Sequence, residues 1–249
     1  MKDDIKIIET QDGSKTLYDA SRDVPYRTKR GAQTESRFIF VDGSGITEKP
    51  APWRVLELGF GAGVNFVQTA LACLEHDDAR LEYHSVDCAP VAPELLAFHL
   101  GEVGELARQA LQHVQNRKEV GESDDLVQVS GFDGRIVLNL YPKAWLEFDE
   151  PALSAEAVYF DPFGPRTEPD SWTNECFEVA ARHLSDTGVL ATYSAATHVK
   201  RAIFKAGLWA ATANGPGRKR EITFAAKHAE TLEAREGFEL LSRDRYVRG

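Results

Sequence analysis

The chain has little of what staples or metallates a fold. Its 249 residues include three cysteines, Cys73, Cys88 and Cys176, far apart and without a Cys-x-x-Cys pair. Neither a disulfide framework nor a zinc site is indicated, and buried thiols are expected. The seven histidines form no His-x-x-x-His or Cys/His array, so no metal site is expected. Ser85, Ser130 and Ser194 lack the glycine setting of a nucleophile elbow. No apolar run approaches the roughly 20 residues that cross a bilayer. The start Met1-Lys2-Asp3-Asp4 has no run of signal-peptide type, which predicts a cytoplasmic protein without a membrane partner. Positive charge is also short: 29 Lys and Arg face 39 Asp and Glu, a net charge of −10. That argues against non-specific coating of nucleic acid, which rests on many cations releasing counterions. Local basic patches remain, with Arg27, Lys29, Arg30 and Arg37 near one end and Lys200, Arg201, Lys205, Arg218, Lys219 and Arg220 near the other.

What is present fits an ordinary globular protein, 43% hydrophobic and 27% charged, long enough for one α/β domain with an extension. In residues 1–50, turn signals at Asp12-Gly13-Ser14 and Asp42-Gly43-Ser44-Gly45 surround the strand-like Phe38-Ile39-Phe40-Val41, which predicts a small β-rich extension. Residues 51–227 read as the core. Strand-like runs at 53–58, 81–86, 156–160 and 188–193 alternate with amphipathic stretches near 64–75, 93–116, 172–184 and 197–206, which predicts a mostly parallel sheet with helices on both faces. A hairpin is expected from 126–129 and 136–140 around Gly131-Phe132-Asp133-Gly134, and an antiparallel closing pair from 208–213 and 221–226. Residues 228–249 are charged and read as a helix followed by a flexible tail.

The most informative run is Val55-Leu56-Glu57-Leu58-Gly59-Phe60-Gly61-Ala62-Gly63-Val64-Asn65. An apolar strand delivers an acidic residue, and three alternating glycines then lead into a helix. Glycines allow positive φ and close approach of a ligand to the backbone, and the helix start presents unpaired N–H groups. A dinucleotide fingerprint needs Gly-x-Gly-x-x-Gly, and Val64 occupies its third glycine position. The pattern Glu-x-Gly-x-Gly-x-Gly instead resembles motif I of S-adenosylmethionine (SAM) methyltransferases. Asp87 ends the next strand, about 20 residues past the glycines, where a carboxylate accepts ribose hydroxyls. A third strand ends in Asp161-Pro162-Phe163, similar to the Asp/Asn-Pro-Pro-Tyr/Phe motif of methyltransferases that act on amino nitrogens. A carboxylate there can orient an amine, and an aromatic ring can pack on a planar substrate.

Several motifs together resemble one family, the MnmC-type methyltransferase domain. They are Asp12-Gly13-Ser14-Lys15-Thr16-Leu17-Tyr18, Tyr26-Arg27-Thr28 with Gly31 to Arg37, the glycine loop with Asn65-Phe66, Gly134-Arg135-Ile136-Val137-Leu138, Asp161 to Pro165 with Pro169 and Trp172-Thr173, Gly188 to Tyr193, and Gly215 to Glu221. The resemblance implies a Rossmann-like SAM-dependent methyltransferase fold with an antiparallel last strand. It implies methylation of the primary amine of 5-aminomethyl-2-thiouridine at the tRNA wobble position, with SAM as donor and neither FAD nor metal. The stand-alone form depends on an upstream enzyme that supplies the aminomethyl intermediate. Carried onto this chain, Glu57, Gly59, Gly61, Gly63, Asn65 and Asp87 hold SAM, Asp161 orients the amine, and Phe163 packs on the base. Arg218, Lys219 and Arg220, with Arg27 and Lys29, hold phosphates of the tRNA anticodon region, and Glu35 and Trp172 lie on the substrate side. Two positions depart from the family pattern. Leu140-Tyr141-Pro142-Lys143-Ala144 stands where a Gly-Asp pair contacts adenine, and Glu168 replaces an Asn before the proline. The acidic balance leaves open an N-methyltransferase for a small metabolite or protein amine, and the altered adenine region leaves open a catalytically impaired SAM- or RNA-binding module.

Overall fold

A computed structural model describes residues 4–121, 126–216 and 221–247. The N-terminal segment forms a small antiparallel sheet of β1 (Ile5–Glu9), β2 (Lys15–Asp19) and β3 (Val24–Pro25), followed by the short helix α1 (Ala32–Ser36). Asp12 holds the β1–β2 turn to α1: its carboxylate accepts the Ser14 amide (3.0 Å) and the Thr34 hydroxyl (2.8 Å).

The core follows as β4 (Trp53–Leu58), α2 (Val64–Leu74), β5 (Leu81–Val86), α3 (Gly101–Val120), β6 (Val127–Gly131), β7 (Ile136–Tyr141), β8 (Ala155–Phe160), α4 (Asn174–His183), β9 (Leu184–Thr192), α5 (Thr197–Lys205), β10 (Trp209–Asn214) and β11 (Glu221–Ala226). The chain ends with α6 (Ala229–Glu233), β12 (Glu239–Leu240) and α7 (Arg243–Val247). One sheet runs β12-β10-β11-β9-β8-β4-β5-β7-β6. Strands β7, β5, β4, β8 and β9 are parallel, while β6 and β11 run antiparallel to their neighbours. The inner strands are nearly continuous in burial because helices cover both faces. Strand order reverses at β4, between β5 and β8, and the crevice beyond the carboxyl ends of such strands is where open α/β sheets bind ligands.

Two expectations are corrected. Phe38-Ile39-Phe40-Val41 is helical: α1 continues into a wider turn over Arg37–Asp42. A four-residue apolar run has no period that separates strand from helix. Here Ile39, Phe40 and Val41 are all buried, and the Phe40 ring lies 5.3 Å from that of Tyr159 in the sheet. The charged end is also no loose tail in its described part. Strand β12 extends the sheet beside β10, the Arg235 guanidinium donates to the Asp42 carbonyl (3.1 Å), and Tyr246 stacks on Phe204 at 5.6 Å. The charges face outward while a few apolar residues of this segment face in. The stretch 93–116 divides into a tight turn at Pro93–Leu96 and helix α3.

Candidate active site

Three strand ends converge at the crevice. Beyond β4, Gly59, Gly61 and Gly63 adopt φ of +102°, +52° and +67°, which side chains rarely tolerate. A Cβ on Gly59 would sit 3.1 Å from the Asp161 carbonyl oxygen, and one on Gly61 would sit 3.2 Å from Tyr26. The loop is therefore wedged between the end of β8 and the N-terminal segment. Beyond β5, the Asp87 carboxylate accepts the Gly61 amide (3.0 Å) and the Ala89 amide (2.9 Å), and burial raises its pKa. A cavity of about 510 Å³ opens here, floored by Gly59–Ala62 and walled by Asp87–Ala89, Ala144–Glu147 and Asp161–Phe163. Arg22, Tyr26 and Arg27 of the N-terminal segment complete the wall.

Behind that wall lies a buried polar cluster. Asn65, in the first turn of α2, donates from Nδ2 to both Glu57 Oε1 and Asp161 Oδ2, each at 2.9 Å. The Ser36 hydroxyl donates to Asn65 Oδ1 (2.5 Å), and the Ser85 hydroxyl donates to Glu57 Oε2 (3.1 Å). Arg27 forms an ion pair with Asp161, again through Oδ2. Burial disfavours the charged carboxylates. It pushes Asp161 up to about 7 against the opposing pull of Arg27, and pushes Glu57 up to about 8 with the Asp161 charge adding to it. Arg27 stays charged: burial acts to lower it, and Asp161, Glu35 and Glu57 raise it.

The chain beyond β8 is fixed from three sides. The Phe163 amide donates to Glu168 Oε2 (3.2 Å), Trp172 Nε1 donates to the Phe163 carbonyl (2.7 Å), and the Tyr193 hydroxyl donates to the Pro162 carbonyl (2.8 Å). The Phe163 ring meets Tyr26 edge-on at 4.8 Å, and the Arg22 guanidinium lies 5.5 Å from its centre. Burial pushes the Tyr26 hydroxyl up to about 12.

Of the residues picked from sequence, Gly59, Gly61, Asp87, Asp161, Phe163 and Arg27 line the cavity. Glu57, Gly63 and Asn65 do not; Glu57 is fully buried beneath the loop and bonded to Asn65 and Ser85. Trp172, expected on the substrate side, is buried behind the loop that carries Phe163, because its indole N–H is spent on that backbone. Arg27, expected on phosphates, points inward to Asp161. Lys29 is exposed with its ammonium 5.1 Å from the Tyr18 ring centre, and Glu35 accepts the Thr28 amide (3.2 Å). Lys200, part of the C-terminal basic cluster, is buried in an ion pair with Glu221 (2.9 Å). Arg218, Lys219 and Arg220 lie outside the described residues. Glu168 serves as a backbone acceptor, and Ala144–Glu147 forms the wall where the family's Gly-Asp pair is missing, with Trp145 Nε1 donating to the Val86 carbonyl (3.0 Å). Sequence reasoning missed Arg22, and it gave no site role to Tyr26 and Ser36, which it quoted within motifs, or to Ser85. Ser85 carried a signal, since it is a hydroxyl in an otherwise buried strand, in register with Glu57.

A sheet of this order, opening onto a glycine loop too tight for side chains beside a strand-end carboxylate, is how SAM-dependent methyltransferases are built. A family model described as S-adenosyl-L-methionine-dependent methyltransferase matches residues 105–228. The residues present fit that cofactor: the loop runs at positive φ with room so tight that a Cβ at Gly59 or Gly61 would crowd its neighbours, and Asp87 stands on the cavity wall. A Ralstonia nicotianae protein named tRNA 5-methylaminomethyl-2-thiouridine biosynthesis bifunctional protein MnmC is 31% identical over 223 residues, covering 85% of this chain and 33% of the relative. Its namesake from Ectopseudomonas mendocina is 32% identical, covering 82% and 32%. The crystal structure of MNMC2 from Aquifex aeolicus superposes with a TM-score of 0.72 at 26% identity, covering 90% of this chain and 71% of that one. The chain carries an MnmC-like methyltransferase domain. It spans about a third of the length of the curated relatives it matches.

Proposed function

We propose that this protein methylates the exocyclic amine of 5-aminomethyl-2-thiouridine at the wobble position of tRNA. The observation that carries the reading is Asp161, a buried carboxylate on the wall of the glycine-loop cavity and next but one to an aromatic ring. Both hydrogen bonds of its carboxylate among the described residues fall on Oδ2, which leaves Oδ1 for the substrate. The names of the relatives supply the nucleoside.

When bound, SAM supplies an electrophilic methyl group on a sulfonium centre. The chain's own residues then have positioning tasks. Asp87 accepts ribose hydroxyls, and the glycine loop sets the depth at which the cofactor lies. Asp161 takes an N–H of the amine and, with a pKa near 7, accepts the proton that an ammonium sheds before its lone pair can attack. Phe163 packs on the base. Displacement at an activated methyl calls for neither metal nor FAD. The aminomethyl group has to come from an upstream enzyme, and the setting is the cytoplasm, where tRNA is modified.

The test is mass spectrometry of nucleosides after incubating protein and SAM with tRNA that accumulates 5-aminomethyl-2-thiouridine. The wild type adds one methyl to that nucleoside. Asp161→Ala lowers kcat/KM by about 100-fold or more, while calorimetry shows SAM affinity within about threefold. Near wild-type turnover in that variant would remove Asp161 from the mechanism. No methylation by the wild type, with SAM bound, would favour a smaller amine substrate, which suits the net charge of −10.

A further inference from the structure

We propose that Arg27 is a positioning residue for methyl transfer: a fixed counter-ion, delivered by the N-terminal segment, that aims Asp161 at the amine and keeps it ionised. The proposal rests on the reading that Asp161 meets the amine. The side chains of Arg27 and Asp161 are only 8% and 7% exposed, so the guanidinium cannot reach phosphates on the surface of a macromolecule. Its planar fork lies 5.1 Å from the centre of the Phe40 ring, which sits in the buried helical turn after α1. An ammonium has no such plane, so Lys would supply the charge without the orientation.

The geometry of Asp161 shows what the orientation does. Arg27 and Asn65 both donate to Oδ2, from opposite parts of the chain, which fixes the plane of the carboxylate. An amine on Oδ1 then meets an acceptor of set direction without displacing either donor. The charges facing Asp161 come from every side: Arg27 from the N-terminal segment, Glu35 from α1, and Glu57 from β4, with the neutral Asn65 of α2 and the Tyr83 hydroxyl of β5 beyond Glu57. Three carboxyl groups thus share one cation. Without Arg27, burial and Glu35 would leave Asp161 protonated across the neutral range, unable to accept a proton from an ammonium.

Two measurements on the full chain test this. Carboxyl carbon NMR titration, with the Asp161 signal assigned by its loss in Asp161→Asn, needs no substrate. Arg27→Gln moves the Asp161 midpoint up by about one unit or more, and Arg27→Lys moves it much less. An unchanged midpoint in Arg27→Gln overturns the counter-ion role. Steady-state methylation across about pH 6–10 then reads the catalytic consequence. Arg27→Gln lowers kcat at neutral pH by about tenfold or more, shifts the acid limb upward so that part of the rate returns in alkali, and leaves KM for tRNA within about twofold. Arg27→Lys restores the position of the limb but not the full rate. Unchanged kcat, with a raised KM and a shallower salt dependence, would return Arg27 to the phosphates. A lower kcat with no shift of the limb would leave it a structural role alone. If the wild type fails to methylate the nucleoside, the proposed function fails, while the titration still decides whether Arg27 holds Asp161 ionised.

Discussion

Glu57 shows what a sequence motif leaves undetermined about a residue it picks out. The acidic position of the glycine loop was expected to touch the cofactor, yet its carboxyl is buried beneath the loop and spent on Asn65 and Ser85. Sequence spacing identifies the loop but carries no depth, and the first strand residue that points under a loop looks the same as one that points into it. The same burial makes a prediction. Glu57 titrates at about 8 in the folded chain and at about 4.5 when exposed, so the native state binds its proton more tightly. Its contribution to stability is complete below the lower value and is lost as pH rises through the higher one. Glu57→Gln can keep both contacts, its carbonyl facing Asn65 and its amide facing Ser85, and it removes the titration. Between about pH 5 and 9 the melting temperature of the wild type therefore falls more steeply than that of Glu57→Gln. Parallel curves would show that Glu57 does not carry the proton.

Among the elements, four of the five parallel strands and the closing antiparallel pair were legible because periodicity and buried runs report them directly, whereas β7 was read only as an arm of a hairpin and not as the strand beside β5. The helical turn over Arg37–Asp42 was not, since its apolar residues are contiguous and only packing against α2 and β9 decides their conformation. The loop after β8 lies between these cases. Asp161 and Phe163 could be read from a short motif, but their mounting could not, because Trp172, Glu168 and Tyr193 reach the loop from 5 to 31 residues away in sequence. Trp172→Phe keeps the ring and removes only the donor to the Phe163 carbonyl. A buried hydrogen bond of this kind contributes about 1 kcal/mol. The expected result is a severalfold lower kcat with SAM affinity unchanged in calorimetry. Equal losses in both would mean that the loop supports the cofactor as much as the substrate.

At the scale of the molecule, the proposed substrate would bring a polyanion to a protein of net charge −10. Among the described residues, Arg22 and Arg27 line the cavity, with Arg27 paired to Asp161; the Lys118 charge acts on Asp87, and Lys29, Arg30 and Arg166 stand on the segments that lead from Arg27 and Phe163. Each phosphate contact contributes a slope of about 0.7–0.9 in the logarithm of affinity against the logarithm of salt. A KM for tRNA that rises with salt with a total slope of about 2–3 is the expected outcome, shallow for a nucleic-acid enzyme. A KM that ignores salt would speak for a smaller amine. The N-terminal sheet, which reads in sequence as an appendage, supplies Arg22, Tyr26 and Arg27 to the cavity wall. Its placement depends on long-range packing, and no local pattern announces it.

Asn65 joins Glu57, buried beneath the glycine loop, to Asp161 on the cavity wall, since one side-chain amide donates to both carboxylates. In the proposed function the loop above Glu57 meets SAM and Asp161 meets the amine, so the two ligands bear on one linked cluster. Whatever factor SAM would then add to the affinity for the nucleoside, the nucleoside would add to the affinity for SAM.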